Sequence, residues 1–112
     1  MDYVNGILIY ELSEKAFERY KKVTIKNKNI TYDTARRKLT RSIMLGKSVY
    51  WDEKNKFEII LYGSLKIRIN VHDDGTEKIV NIWNHRTPDP YWILHKKDYR
   101  KISKKLGLEV NR

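Results

Sequence analysis

The chain has 112 residues, with 24 Lys and Arg against 14 Asp and Glu for a formal net charge of +10, thirteen aromatic residues (three Trp, eight Tyr, two Phe) and no cysteine. That length fits one domain, residues 1–112, built around one core; the lack of cysteine excludes a disulfide framework and a thiolate zinc site; and no stretch is long and apolar enough to span a bilayer. The charge excess points to a polyanionic partner: nucleic acid or an acidic protein ahead of an anionic membrane surface. No basic leader with an apolar signal core opens the chain, so the expected compartment is the cytoplasm.

In chain order, Gly6–Glu11 (GILIYE) is a short apolar run that reads as a first strand. Ser13 suits the N-cap of a helix whose buried stripe is Ala16, Phe17, Tyr20 and Val23, with Lys15, Glu18, Arg19 and Lys22 outside it. Lys26–Asn29 is polar and reads as a turn. Thr31 caps a second helix, Asp33 suits its positive end, and Gly46 is expected to take the left-handed conformation after its end. Tyr32, Ala35, Leu39 and Ile43 recur at helical spacing, which leaves Arg36, Arg37, Lys38 and Arg41 for the remaining surface.

Ser48–Trp51 and Phe57–Tyr62 read as strands around the polar turn Asp52–Lys56, and Gly63 marks a bulge or sharp bend before the next strand. Leu65–Arg86 reads as a β-hairpin, after which Pro88 and Pro90 end strand pairing. His95–Leu106, closed by Gly107, fits a last helix carrying Lys96, Lys97, Arg100, Lys101, Lys104 and Lys105 against the single acid Asp98. There is no internal repeat, no low-complexity segment and no linker. The fold class is therefore α+β: an antiparallel sheet of four to five strands, two N-terminal helices packed on one face, and a basic C-terminal helix.

The hairpin carries the chemistry. Leu65, Ile67, Ile69 and Val71 alternate with Lys66, Arg68, Asn70 and His72, so the two sets face opposite ways. With Asp74-Gly75 as a two-residue turn, Asp73 would pair with Thr76, Asn70 with Ile79, Arg68 with Asn81 and Lys66 with Trp83. One face then collects Lys66, Arg68, Asn70, His72, Asn81, Trp83 and His85; the other collects Leu65, Ile67, Ile69, Val71, Val80 and Ile82 as core.

Such a polar face serves single-stranded nucleic acid: cations neutralise phosphates and Trp83 stacks on a base. The same groups suit metal-free RNA cleavage, in which His72 or His85 moves protons while Lys66, Arg68 and Arg86 stabilise phosphorane charge. Spacing alone does not separate a binding face from a nuclease. An alternating strand face is also what the solvated side of an ordinary sheet displays, a basic tail helix is commonly a solvated or partner-binding surface, and Trp51, Trp83 and Trp92 suit core or rim positions. A metal site from His72, Asp73, Asp74 and His85 is disfavoured because the turn already accounts for Asp-Asp-Gly. No nucleotide-binding glycine-rich loop, nucleophile elbow or HExxH motif occurs, and no cofactor is implied.

Two segments, Ile7–Lys22 (ILIYELSEKAFERYKK) and Leu65–Tyr91, resemble the opening strand-helix and the closing strands of the RelE/ParE-like toxin superfamily. That superfamily comprises small basic proteins that include ribosome-dependent mRNA endonucleases. The resemblance implies a sheet whose helix-free face binds RNA, ribosome-bound RNA included, and cleaves it without metal. It also implies an acidic antitoxin-like partner. The positions that match the family's catalytic groups are Lys66 and Arg68, then Arg86, then Tyr91. In place of the family's Gly-Asp-Tyr-Arg-like segment stands Tyr62-Gly63-Ser64-Leu65. By the resemblance the chain is a toxin-type endoribonuclease; as a non-catalytic accessory protein it would use Asn70, Asn81, Trp83, Lys96, Lys97 and Arg100 to hold nucleic acid, and as an interaction protein it would meet an acidic protein surface.

Overall fold

Asn5 and Gly6 both hold left-handed backbone, at φ +49° and +83°, the pair of positive angles that a two-residue type I′ turn demands. In the computed structural model, which describes residues 2–23, 25–84 and 96–108, they join β1 (Asp2–Val4) to β2 (Ile7–Ile9) as an antiparallel hairpin with Val4 opposite Ile7. The single strand expected over Gly6–Glu11 is thus split. Its last residues form a separate short strand, β3 (Glu11–Leu12), lying parallel to Lys78 and Ile79.

Helix α1 (Glu14–Val23) begins where the Ser13 hydroxyl accepts the Ala16 N–H at 3.1 Å, and it buries Ala16 and Tyr20. A 3-10 turn (Ile25–Asn27) leads on to α2 (Tyr32–Leu45), capped by the Thr31 hydroxyl, which accepts from the Thr34 N–H at 3.2 Å. Ala35, Leu39 and Ile43 are buried as their spacing predicts.

Two expectations for α2 are corrected. Arg41 is not on the outer surface but 8% exposed, covered by the last helix. Gly46 is not left-handed: its φ of −79° and ψ of −179° are open to any residue. Glycine is needed there for space, because a Cβ would lie 2.6 Å from Ile60 Cγ2 and 2.7 Å from the Ser42 carbonyl oxygen.

Four strands follow as a meander: β4 (Lys47–Asp52), β5 (Phe57–Tyr62), β6 (Leu65–Val71) and β7 (Glu77–Asn84), and the described chain ends with α3 (Lys96–Lys105). The five-stranded sheet runs β3-β7-β6-β5-β4, antiparallel throughout except where β3 meets β7. Tyr62 pairs with Leu65, so Gly63 and Ser64 make the sharp bend as a two-residue turn, with the positive φ of +57° on Gly63.

Ile60, Ile67 and Ile82 stand abreast across β5, β6 and β7, and Ile69 and Ile79 form the next rank. All five are buried and share one core with Leu12, with Ala16 and Tyr20 of α1, and with Ala35, Leu39 and Ile43 of α2. The alternate residues of β5, β6 and β7 point to the opposite face of the sheet, the open face. A second, smaller core joins Ile9 to Leu106 and Leu108, with Val4, Ile7 and Ile102 packed around it. There Asn5 Nδ2 donates to the Lys105 carbonyl at 2.7 Å and Arg37 Nη1 to the Leu106 carbonyl at 2.8 Å, tying α3 to both the hairpin and α2.

The Gly46 contact is testable. Gly46→Ala keeps an allowed backbone but forces a methyl into Ile60 and two carbonyls, so stability should fall by about 1–3 kcal/mol, the usual cost of overpacking. Urea unfolding of both proteins measures it.

Candidate nucleic-acid interface

The tip of the β6–β7 hairpin sets what the open face displays. Gly75 N–H donates to the His72 carbonyl at 2.9 Å and His72 N–H to the Thr76 carbonyl at 2.8 Å. Within the loop only Gly75 has positive φ, +87°. Asp73, Asp74 and Gly75 therefore form a three-residue loop, a type I turn followed by a left-handed glycine, and not the two-residue turn expected from Asp74-Gly75. Asp74 Oδ1 braces it by accepting from the Thr76 N–H at 2.9 Å and hydroxyl at 2.7 Å. These bonds hold the Asp74 carboxyl below its ordinary value, the Thr76 hydroxyl contributing most.

A loop one residue longer moves the register by one. Val71 pairs with Glu77, Asn70 with Lys78 and Ile69 with Ile79, whereas Arg68 pairs with Asn81 and Lys66 with Trp83. The step between the two runs is a β-bulge that leaves Val80 unpaired and restores the alternation beyond it. The expected pairing of Asn70 with Ile79 is thus replaced, and Ile79, fully buried, takes the core place expected for Val80. Lys78 joins Asn70 on the open face.

Three ranks cross that face. Trp83 (β7), Lys66 (β6), Leu61 (β5) and Lys47 (β4) form the first. Asn81, Arg68, Ile59 and Tyr50 form the second, and Lys78, Asn70, Phe57 and Asp52 the third, with Glu11 of β3 beside Lys78. Arg68 Cζ lies 3.8 Å from the Phe57 ring centroid while its Nε donates to Asn70 Oδ1 at 3.1 Å. The Tyr50 ring lies 5.7 Å from the Phe57 ring, tilted by 44°. Lys66 Nζ stands 5.7 Å from the Trp83 ring. Cation–π contacts of this kind contribute about 0.5–1 kcal/mol at exposed sites, enough to bias the orientation of a guanidinium while leaving its N–H edge open to a ligand. The ion pairs Lys21–Glu18, Arg36–Asp2, Arg37–Asp33 and Lys56–Glu53 engage none of Lys47, Lys66, Arg68 and Lys78.

The structure brings together Lys66, Arg68, Asn70, Asn81 and Trp83. His72 lies exposed at the hairpin tip, beyond the third rank. Lys97 and Arg100 are exposed on α3, whose Tyr99 and Ser103 meet Arg41 of α2. Lys96 opens that helix. His85, Arg86, Tyr91 and Trp92 lie outside the described residues. Trp51 is an edge-strand residue whose indole donates to Glu53 Oε2 at 2.6 Å. The reading of the sequence missed Lys78, Phe57 and Tyr50. Parity carried across the Gly63-Ser64 turn would have put Phe57 on this face, but Lys78 required knowledge of the bulge.

A cleft of about 90 Å³ at the β3 edge, lined by Asp2, Tyr10, Glu11, Arg36, Thr76 and Glu77 among others, has the opposite character. Its cation is spent internally, since Arg36 Nη1 donates to Asp2 Oδ2 at 2.7 Å and Nε to the Tyr10 carbonyl at 2.9 Å. Burial, with added repulsion from Glu77 and Glu58, pushes the Tyr10 phenol up to about 12. Burial and then Glu58 also raise the Glu77 carboxyl. A phosphodiester gains nothing there.

The sign of the Glu77 shift gives a test. A carboxyl raised by folding binds its proton more readily in the folded state, so its penalty is absent well below pH 4.5 and grows as pH rises through the folded value. Glu77→Gln should therefore raise Tm at pH 7 and leave it unchanged in strong acid, read by circular dichroism at the two pH values.

No curated protein and no solved structure matches the chain. The YorE family model matches residues 10–105, which takes in every element from β3 to α3 and leaves out the β1–β2 hairpin. The chain belongs to the YorE family.

Proposed function

We propose that this protein acts on RNA, holding a single strand across the open face of its sheet. The observation that carries the reading is the pairing of cation with ring in adjacent ranks of one sheet face: Lys66 with Trp83, and Arg68 with Phe57, against which Tyr50 packs. A single strand offers both a phosphate line for the cations and unstacked bases for the rings, whereas a duplex hides its bases. Asn81 opposite Arg68, and Asn70 in the next rank beside Phe57, add donors and acceptors for base edges or ribose hydroxyls. On this reading the two N-terminal helices and the basic C-terminal helix back the sheet and leave this face for the ligand.

Metal-independent cleavage is the second reading. It draws on the resemblance to RelE/ParE-like toxins and on the place of Lys66 and Arg68 in β6, the central strand of the five. In that scheme Lys66, Arg68 and Arg86 stabilise the phosphorane, and Tyr91, His85 or His72 carries protons. The cationic face is then also where an acidic antitoxin-like protein would bind and occlude the site.

Fluorescence anisotropy with a labelled single-stranded RNA tests the first reading. Lys66→Ala and Arg68→Ala should each weaken binding and reduce the slope of log K against log salt by about 0.7, one phosphate contact each. Trp83→Ala should weaken binding by roughly 5- to 150-fold, the range of one base–aromatic stack. Wild-type binding equal to that of the Lys66→Ala/Arg68→Ala double variant would remove the proposal. Incubating wild type with RNA in EDTA separates holding from cutting: fragments absent from the Arg68→Ala reaction support cleavage, and intact RNA leaves a binding protein.

A further inference from the structure

The two cations on β6 are held in different ways. Lys66 is exposed, and its Nζ stands 5.7 Å from the Trp83 ring centroid, near the outer limit of a cation–π contact. Arg68 is half-buried and restrained twice: its Cζ lies 3.8 Å from the Phe57 ring centroid, and its Nε donates to Asn70 Oδ1 at 3.1 Å. Phe57 and Asn70 are themselves partners in register, so β5 and β6 bring both restraints to one place. Ile59, the β5 partner of Arg68, points to the open face yet is only 7% exposed. The side chains around it therefore close over the sheet at this point.

The donors left over define the ligand. With Nε committed to Asn70, the guanidinium keeps its Nη1–Nη2 edge, whose two parallel N–H bonds match two oxygens on one phosphorus. Asn81 stands directly opposite on β7, and its Oδ1 accepts from the Ile82 N–H at 2.9 Å. Neither Arg68 Nε nor a backbone N–H can accept a hydrogen bond, so both amides must turn their oxygens to these donors. The NH2 group is what each amide has left to give. Asp52, the acid of the third rank, is engaged within its own turn, where it accepts from the Asn55 N–H at 2.8 Å and from Asn55 Nδ2 at 3.3 Å.

We propose that Arg68 and Asn81 form the seat of one internal phosphodiester, with Asn70 and Phe57 as positioning residues. The Nη1–Nη2 fork takes both non-bridging oxygens, and the Asn81 amide adds a third donor from a position whose Cβ is about 4.5–5.5 Å from that of Arg68. A phosphodiester offers acceptors alone, as this donor set requires. The inference rests on the sheet-face reading and divides its cations: Arg68 is a pre-organised fork, and Lys66 is a mobile point charge that another cation can replace.

The test exchanges each cation for the other kind, so that charge is conserved, and reads single-stranded RNA binding by fluorescence anisotropy. Arg68→Lys should bind roughly tenfold more weakly, the loss of one charge-assisted hydrogen bond, while Lys66→Arg should stay within about twofold of wild type. Asn70→Ala and Phe57→Leu should each weaken binding by roughly 2- to 5-fold and leave the slope of log K against log salt unchanged, because no phosphate contact is removed. Phe57→Tyr, which keeps the ring, should bind as wild type does. Should Phe57→Leu fail to fold by circular dichroism, Asn70→Ala carries the positioning arm. Arg68→Lys equal to wild type, or Lys66→Arg as weak as Arg68→Lys, overturns the fork and leaves the sheet-face reading in place. Unchanged affinity in both Asn70→Ala and Phe57→Leu overturns the positioning roles. Wild-type binding equal to that of the Lys66→Ala/Arg68→Ala double variant removes the seat together with the sheet-face reading.

Discussion

The open face of the sheet depends on one residue of register. Strand side chains alternate, so a hairpin that slips by one exchanges its apolar and polar faces. The three-residue loop after His72 introduces such a slip and the bulge at Val80 cancels it. Between them Ile69 and Ile79 meet the helices while Asn70 and Lys78 meet solvent; beyond them Ile67 and Ile82 continue the core while Lys66, Arg68, Asn81 and Trp83 continue the outer face. The isoleucine ranks and the cation–ring pairs are two sides of one pairing scheme, each fixed by the other.

Much of this was legible in the residues, for reasons that differ from element to element. Thr31 and the Tyr32–Ile43 spacing located α2 because capping and helical periodicity are local. The pairings of Lys66 with Trp83 and Arg68 with Asn81, expected from a two-residue turn, hold because the bulge at Val80 cancels the extra residue of the loop. What escaped was decided by space and by single-residue irregularities. Val80 is as apolar as Ile79, so composition did not say which of the two the core would take. Gly46 looked like a helix terminator and instead makes room for Ile60. Arg41 fell on the polar arc of its helix, and only the approach of α3 buried it. Asn5-Gly6 was the opposite case, a strong local turn signal overshadowed by the apolar run that follows it.

Charge is divided by the sheet itself. The open face presents Lys47, Lys66, Arg68 and Lys78 against Asp52 and Glu11 at its margins; Lys66 rests on a ring, and Arg68 on a ring and an amide. The acids of the β3 edge are turned toward one another and toward Arg36. Such separation keeps the local field positive where a polyanion would approach and limits self-neutralisation. The outer edge of the sheet is protected as well: β4 is interrupted by a register shift between Ser48 and Tyr50, which spoils the straight backbone template that strand-to-strand aggregation needs.

The smaller core around Ile9, Leu106 and Leu108 bears on the order in which the chain assembles. The meander from β4 to β7 closes through short turns, while Asn5 and Lys105, joined by a hydrogen bond, are 100 residues apart in sequence. Contacts that distant carry a large loop-closure entropy and reward it only after the intervening chain is folded. On that ground the β1–β2 hairpin and α3 are expected to dock after the meander has closed. Because α3 also carries Tyr99 and Ser103, the enclosure of Arg41 is complete only once α3 has docked.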